Sequence, residues 1–171
     1  MVAPLIRWIT ALCLVGLVGS TQAGAYTIAG RVVDVADGDT ITILDAQNRQ
    51  HKVRLNGIDS PEMGQPFGRA SKKHLSDLLA GSQVVADCGK TDRFGREVCL
   101  VRVGEVVAGL EQVKAGMAWY FRRYANEMAP ARREHLDTAE TDARTDGKGL
   151  WAESGPVPPW DWRGTRSMQS K

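Results

Sequence analysis

Polar and apolar residues alternate in several short runs, which is the pattern of β-strands with one buried face. The first run carries Ile28, Val32 and Val35 and stops at an Asp-Gly turn signal. Two later runs flank a turn at residues 89–96 that contains Gly95. We predict five strands, with a short addition at residues 106–107. The five lie at residues 26–35, 40–43, 52–55, 83–88 and 97–103.

Helical periodicity appears in three segments, at residues 66–80, 110–115 and 130–146. The first places Leu75 and Leu79 on one face, and Gly81 is suited to end it. The last has a proline in its first turn, where the missing N–H is tolerated. Strands with inserted helices predict an α+β fold. This pattern alone does not distinguish a barrel from a sandwich.

The first 25 residues have the three-part layout of a secretory signal peptide. Arg7 precedes an apolar run at residues 9–19, and small residues at 20–25 provide a cleavage site. The run is shorter than the roughly 20 apolar residues that span a bilayer. An uncleaved membrane anchor is the alternative. We expect export to a periplasm or to the medium, with no stable membrane association after cleavage.

The remaining chain divides into a domain at residues 26–153 and a Pro/Trp-rich C-terminal tail at 154–171. A chain of 171 residues fits one domain with a real core, and we expect a monomer. Prolines between residues 156 and 159 predict an extended strap whose tryptophans pack on the domain. We expect disorder after Arg163. The net charge of +2 is too small for binding of nucleic acid by bulk charge, so any such binding needs local cations.

Two cysteines remain after the predicted signal, Cys88 and Cys99, on the strands that flank the turn at residues 89–96. An even pair in an exported chain predicts a disulfide. Two buried free thiols are the alternative. A bridge at this place would hold the base of the turn.

Acids and arginines gather at the ends of the predicted strands. Asp39 precedes the second strand, Arg54 lies on the third, and Asp59 and Glu62 follow it. Carboxylate oxygens are the ligands that Ca²⁺ and Mg²⁺ prefer, and a guanidinium suits phosphate. The later turn brings a second arginine, Arg96, towards the same place. This combination favours metal-dependent phosphodiester chemistry.

Three segments closely resemble the staphylococcal nuclease (thermonuclease) family. They are DGDTITI at residues 37–43, RLNGIDSPE at 54–62 and DRFGR at 92–96, with supporting likeness as far as residue 151. Three motifs in this order are far more specific than one short pattern. The resemblance implies a five-stranded OB-type β-barrel with about three helices. It also implies a Ca²⁺ cofactor and hydrolysis of DNA and RNA to 3′-phosphate ends.

The resemblance and the residue chemistry together predict the site. The metal ligands are Asp39, Asp59 and the backbone carbonyl of Ser60, and Asp37 is favoured as a turn residue that bonds its own backbone. The predicted catalytic residues are Arg54, Glu62 and Arg96. Glu62 is the candidate general base or water-positioning group. The two guanidiniums stabilise the extra charge of a phosphorane-like transition state.

Two side chains are predicted to contact nucleic acid. Tyr124 lies in an aromatic and basic cluster at residues 119–124 and is suited to stack on a base, whereas Trp119 is expected in the core. Arg93 is the second; with Phe94 it stands where family members often have lysine and tyrosine. The histidines share no ligand spacing, which disfavours a zinc site.

Two other interpretations of the chain remain open. One is a non-catalytic OB-type module that binds single-stranded nucleic acid, and the other is a Ca²⁺-stabilised interaction domain that uses the tryptophan tail. Related binding modules have typically lost the acid and arginine set. Since that set is complete here, an enzyme is favoured.

Overall fold

The computed structural model describes residues 25–169. The predicted signal peptide up to residue 24, and residues 170 and 171, lie outside them. The strands are β1 (Tyr26–Val35), β2 (Thr40–Asp45), β3 (Gln50–Leu55), β4 (Ile58–Asp59), β5 (Gln83–Thr91), β6 (Glu97–Val103), β7 (Val106–Val107) and β8 (Trp119–Tyr120). The helices are α1 (Gly68–Leu79), α2 (Ala108–Lys114), α3 (Pro130–Thr145) and α4 (Pro159–Gln169), with 3₁₀ helices at Arg122–Glu127 and Gly149–Ala152. In this part of the chain no helix is both long and apolar enough to cross a membrane.

Five strands close into a barrel in the order β3-β2-β1-β5-β6. The neighbours are antiparallel, and a parallel pairing of β3 with β6 completes the ring. Alternate residues such as Ile41, Ile43 and Val53 are fully buried inside it. The predicted α+β fold with an OB-type barrel is therefore confirmed. The parallel closure places Arg54 of β3 opposite Val98 of β6, beside the turn that carries Arg96.

A disulfide joins Cys88 of β5 to Cys99 of β6. The two residues face each other in the antiparallel register, and both are buried. The bridge therefore holds the two strands together below the turn at residues 92–96. The predicted disulfide is therefore present, and the alternative of two free thiols does not hold.

A second, two-stranded sheet was not predicted from the sequence. It pairs Ile58 with Tyr120 and Asp59 with Trp119, so that the segment after β3 is fixed outside the barrel. Two residues are too few to show alternation, and no turn joins β4 to β8 as one joins β6 to the predicted strand at residues 106–107. The buried Glu140 of α3 supports this sheet, because its carboxylate accepts a hydrogen bond of 2.9 Å from the backbone N–H of Tyr120.

The C-terminal tail corrects the sequence prediction. We expected an extended strap followed by disorder, but α4 begins at Pro159 and continues to Gln169. Proline is compatible with the first turn of a helix, so Pro159 begins the helix instead of preventing it. The expected packing of a tryptophan on the domain does occur: the Trp160 ring lies 5.4 Å from that of Phe121 and 6.5 Å from that of Trp119.

Candidate active site

Asp39 lies in the turn between β1 and β2 and is almost completely buried, with 5% of its surface exposed. Its backbone N–H donates to the carboxylate of Asp37 at 2.9 Å, so Asp37 does act as a turn residue. The Asp39 carboxylate accepts hydrogen bonds from the backbone N–H of Ser60 (2.9 Å) and the hydroxyl of Thr40 (3.0 Å). These bonds fix its orientation and join the two predicted metal-binding segments.

Close packing against α1 holds the same turn in place. A Cβ at Gly38 would lie 1.8 Å from Ser71 Oγ and 2.8 Å from Ser60 Cβ, so only glycine fits. The fully buried Gln112 of α2 donates to the carbonyl of Gly38 at 2.6 Å and contacts His74 of α1. Gln112 was not predicted as a site residue, because a single glutamine in a short helix has no distinctive sequence pattern.

Arg54 brings the two predicted metal-binding aspartates together. Its Nη1 lies 2.8 Å from Oδ2 of Asp39, and its Nη2 lies 2.9 Å from Oδ1 of Asp59. Among the described residues, the buried Nη1 makes this ion pair but no well-oriented hydrogen bond. Since one guanidinium reaches both acids, the two carboxylates share one pocket. An under-used donor in that pocket is suited to an anionic oxygen.

Asp59 and Glu62 lie on the same short segment but differ in exposure. Asp59 is 1% exposed, whereas the Glu62 side chain is 39% exposed. The Glu62 backbone N–H donates to Gln65 at 3.1 Å, and a Cβ at Gly68 would lie 2.0 Å from the Glu62 carbonyl oxygen. The absence of a side chain at Gly68 therefore lets α1 pack directly on this segment. Glu62 stands at the solvent side of the pocket, where a water molecule can reach it.

Arg96 is held at the pocket by its own turn. Its Nε donates to the Asp92 carboxylate at 2.8 Å, and that carboxylate also accepts the backbone N–H groups of Phe94 and Arg96. Its Nη1 donates to Thr40 Oγ1 at 3.3 Å. Thr40 in turn donates to Asp39, so Arg96 is linked to Asp39 through Thr40 and not to Glu62.

Negative charge is concentrated in this pocket. Burial, followed by the charge of Asp39, raises the pKa of Asp37 to about 6. Burial also raises the pKa of Asp59. Arg163 and Arg54 act to lower this pKa, whereas the charge of Asp39 raises it further. Burial acts to raise the pKa of Asp39 too, but Arg54 and the hydrogen bonds from Ser60 and Thr40 bring it below its usual value. Buried acids that repel one another favour a bound cation.

The two residues predicted to contact nucleic acid are both exposed. Tyr124 is 46% exposed, its ring packs edge-on against Phe121, and Lys90 lies 4.3 Å from the ring centroid. Arg93 is exposed on the turn beside Arg96. Trp119 is buried, in agreement with its expected place in the core.

An arginine that the sequence analysis did not single out also enters the pocket. Arg163 of α4 lies 2.7 Å from Asp59 Oδ2 and 2.6 Å from Glu62 Oε1. No motif marks it, since its place depends on how a helix about 100 residues downstream of the site docks on the barrel.

An OB-type barrel that gathers acids and arginines in one pocket has the groups that a phosphodiester hydrolase uses. A family model described as staphylococcal nuclease homologue matches residues 52–153. The chain is 42% identical over 134 residues to an uncharacterized endonuclease of Haemophilus influenzae, covering 78% of this chain and 71% of that protein. It is 37% identical over 142 residues to an uncharacterized endonuclease of Escherichia coli, covering 80% and 85% of the two chains. A micrococcal nuclease of Shigella flexneri is 35% identical over 144 residues, covering 78% and 79%.

The chain therefore belongs to the staphylococcal nuclease family, as its motifs predicted. Family membership and these homologues indicate a nuclease, an enzyme that acts on the phosphodiester bonds of nucleic acids.

Metal ions are used in this family, and the donors in the pocket fit a hard divalent cation. The carboxylates of Asp39 and Asp59 meet at the Arg54 guanidinium, and Asp59 also contacts Arg163. Within residues 25–169 no three acidic, histidine or cysteine side chains form a ready-made ligand set. A bound ion would therefore use these two carboxylates with backbone and water oxygens, for which the Ser60 carbonyl remains the predicted backbone donor.

Proposed function

We propose that the protein is an exported, Ca²⁺-dependent nuclease that cleaves DNA and RNA internally and leaves 3′-phosphate ends. The observation that carries this proposal is the convergence of Asp39 and Asp59 on Arg54, with the accessible Glu62 on the same segment as Asp59. A pocket with two buried acids, one exposed acid and a fixed guanidinium has the groups that phosphodiester hydrolysis requires.

In the proposed reaction Glu62 orients a water molecule and accepts its proton as the water oxygen attacks phosphorus. The bond between phosphorus and the 5′ oxygen breaks, and that oxygen leaves as a hydroxyl after it takes up a proton from solvent water. The phosphate remains on the 3′ oxygen. Glu62 suits this role because its side chain is reached by solvent, whereas Asp39 and Asp59 are enclosed.

The two arginines stabilise the charge that grows on the non-bridging oxygens. Arg54 presents a buried Nη1 without a well-oriented hydrogen bond, and Arg96 is locked in place by Asp92. Fixed donors that meet developing charge lower the barrier without reorganisation. A bound Ca²⁺ would neutralise phosphate charge and raise the acidity of a nearby water.

Substrate contacts outside the reacting group are assigned to Tyr124 and Arg93. Both are exposed, and Lys90, which is paired with Glu127, lies beside the Tyr124 ring. Stacking on an aromatic ring does not depend on base identity, which suits an enzyme that accepts DNA and RNA.

Two features support export. Residues 1–25 have the layout of a signal peptide, and the Cys88–Cys99 disulfide is the kind of bond that persists in oxidising compartments. Detection of the processed protein in periplasmic or culture fractions tests this part. Finding it only in the cytoplasm at full length would overturn it.

The activity is tested by digestion of single- and double-stranded DNA and of RNA, with Ca²⁺ and with a chelator. We expect internal cleavage that requires Ca²⁺ and products that become labelled at the 3′ end only after phosphatase treatment. Retention of the strands without cleavage under all metal conditions would instead support the non-catalytic binding module. Undiminished cleavage in chelator would contradict the metal-dependent mechanism.

A further inference from the structure

Arg163 contacts both Asp59, the proposed metal ligand, and Glu62, the proposed general base. Its Nη2 lies 2.7 Å from Asp59 Oδ2, and its Nη1 lies 3.4 Å from Asp59 Oδ1 and 2.6 Å from Glu62 Oε1. Both oxygens of Asp59 therefore face one guanidinium. A bidentate contact of this kind uses the positions from which a carboxylate would bind a cation.

The start of α4 is anchored beside the Glu62 segment. Gln65, which accepts the Glu62 backbone N–H, donates its own amide to the carbonyl of Val157 at 2.5 Å. Trp160 packs against Phe121 and Trp119. This contact directs the next turn of the helix, with Arg163, towards the acids.

Two features of the docked helix α4 limit the stability of its docking. The Arg163 side chain is 47% exposed, so solvent and salt screen its ion pairs. Trp162 has a buried Nε1–H without a hydrogen bond among the described residues, which is a cost of the docked state. A helix held in this way can leave the pocket without loss of the barrel core.

We propose that α4 is an autoinhibitory latch in which Arg163 and a divalent cation compete for Asp59. In the latched state Arg163 neutralises Asp59 and holds the Glu62 carboxylate, so that Glu62 is not free to accept a proton from water. Binding of the cation expels Arg163 and releases Glu62. This inference rests on the proposed function for the identity of the cation, Ca²⁺.

Competition requires a reciprocal effect between the two partners. If Arg163 lowers the affinity for Ca²⁺, then Ca²⁺ must loosen α4 by the same coupling free energy. A general electrostatic influence of one distant positive charge would alter the affinity but would not make Ca²⁺ release the helix. The helix readout therefore separates a latch from simple charge repulsion.

The first arm measures Ca²⁺ affinity by isothermal titration calorimetry on the purified protein, on Arg163→Gln and on Arg31→Gln. Arg31 is exposed on β1 and has no ion pair in the described part of the chain, so it controls for loss of one positive charge. We expect Arg163→Gln to bind Ca²⁺ roughly three to ten times more tightly than the wild type. The wild-type affinity is reduced by the fraction of its molecules in which the latch is open, and the variant removes this reduction. Unchanged or weaker binding, or no binding in any of the three, would overturn the latch.

The second arm follows backbone hydrogen exchange at residues 159–169. Ca²⁺ should accelerate exchange in the wild-type helix, and Arg163→Gln should show fast exchange already without Ca²⁺. Arg31→Gln should behave like the wild type. Slow exchange in α4 of Arg163→Gln, or exchange that Ca²⁺ does not change in the wild type, would overturn the proposal.

Cleavage assays on the same proteins keep the two proposals apart. Tighter Ca²⁺ binding and a released helix without cleavage would remove the proposed function and leave the latch. Ca²⁺-dependent cleavage with equal affinities in wild type and Arg163→Gln would remove the latch and leave the proposed function.

Discussion

At the scale of single residues, the arrangement depends on one guanidinium placed between two buried acids. Arg54 contacts Asp39 and Asp59. Burial lowers the pKa of the Arg54 guanidinium, but the charges of the two aspartates outweigh this effect and raise it. The types and positions of these residues were predicted from motifs. The supporting residues Gln112 and Arg163 could not be, because each acts through a contact with a segment distant along the chain.

Replacement of Arg54 by lysine should preserve the charge but lose the fork that spans both acids. We expect kcat/KM to fall by about 10²- to 10³-fold, the usual effect of losing a donor to transition-state charge. Steady-state kinetics at saturating Ca²⁺ provide the measurement. Arg102→Lys is the matched control, since Arg102 pairs with Asp87 at the surface. Wild-type rates in Arg54→Lys would show that the fork has no catalytic role.

His51 of β3 links two carboxylates that belong to Asp45 and Glu97. Its ring nitrogens lie 3.0 Å from Asp45 and 3.1 Å from Glu97. The hydrogen bond to Asp45 raises the pKa of His51 above its usual value. Burial acts to lower this pKa, and Glu97 raises it further. The charged ring therefore stabilises the fold below the unfolded-state pKa, and this stability is lost as the pH rises through the folded-state value.

Urea unfolding of His51→Gln and wild type at several pH values tests this sign. The variant should be less stable by about 1–2 kcal/mol near pH 5.5, the worth of hydrogen bonds to a charged group. The difference should shrink as the ring loses its proton in the wild type. A difference that grows towards alkaline pH would contradict the assignment.

At the scale of elements, the second sheet of β4 and β8 positions Asp59 and was invisible in the sequence. Pairing of Asp59 with Trp119 holds the acid, and α3 supports β8 through Glu140. The Glu140 carboxylate also accepts an Arg122 Nη1 hydrogen bond at 2.7 Å. The long strands and α1 were predictable because their apolar residues recur with a clear period. Short strands and the docking of α4 are set by tertiary contacts, which a local pattern does not contain.

Glu140→Gln should weaken this support. A neutral amide keeps one acceptor for the Tyr120 N–H but leaves Arg122 without its buried charged partner, and we expect a loss of about 1–3 kcal/mol in the free energy of unfolding. Chemical denaturation measures the loss. Glu134→Gln on the same helix is exposed and should change stability by less than about 0.5 kcal/mol. Equal effects of the two substitutions would show that Glu140 does not brace β8.

At the scale of the whole molecule, barrel closure brings together motifs that are separated in the chain. The parallel pairing of β3 with β6 carries Arg54 towards the turn of Arg96, and the disulfide holds that turn's base. The family resemblance predicted the barrel, whereas strand alternation alone left a sandwich open. The C-terminal helix shows the limit of composition. Three prolines and two tryptophans were expected to form a strap, but in the tail as far as residue 169 only the residues before Pro159 are outside a helix.

The central claim, that this pocket hydrolyses phosphodiester bonds through Glu62, is tested most directly by single-turnover cleavage with Glu62→Gln at saturating Ca²⁺. The control is Glu105→Gln, an exposed acid in the turn between β6 and β7. We expect Glu62→Gln to lower the cleavage rate by about 10²- to 10⁴-fold, the range for loss of a general base, while Glu105→Gln retains the wild-type rate. Cleavage by Glu62→Gln at the wild-type rate would contradict the account.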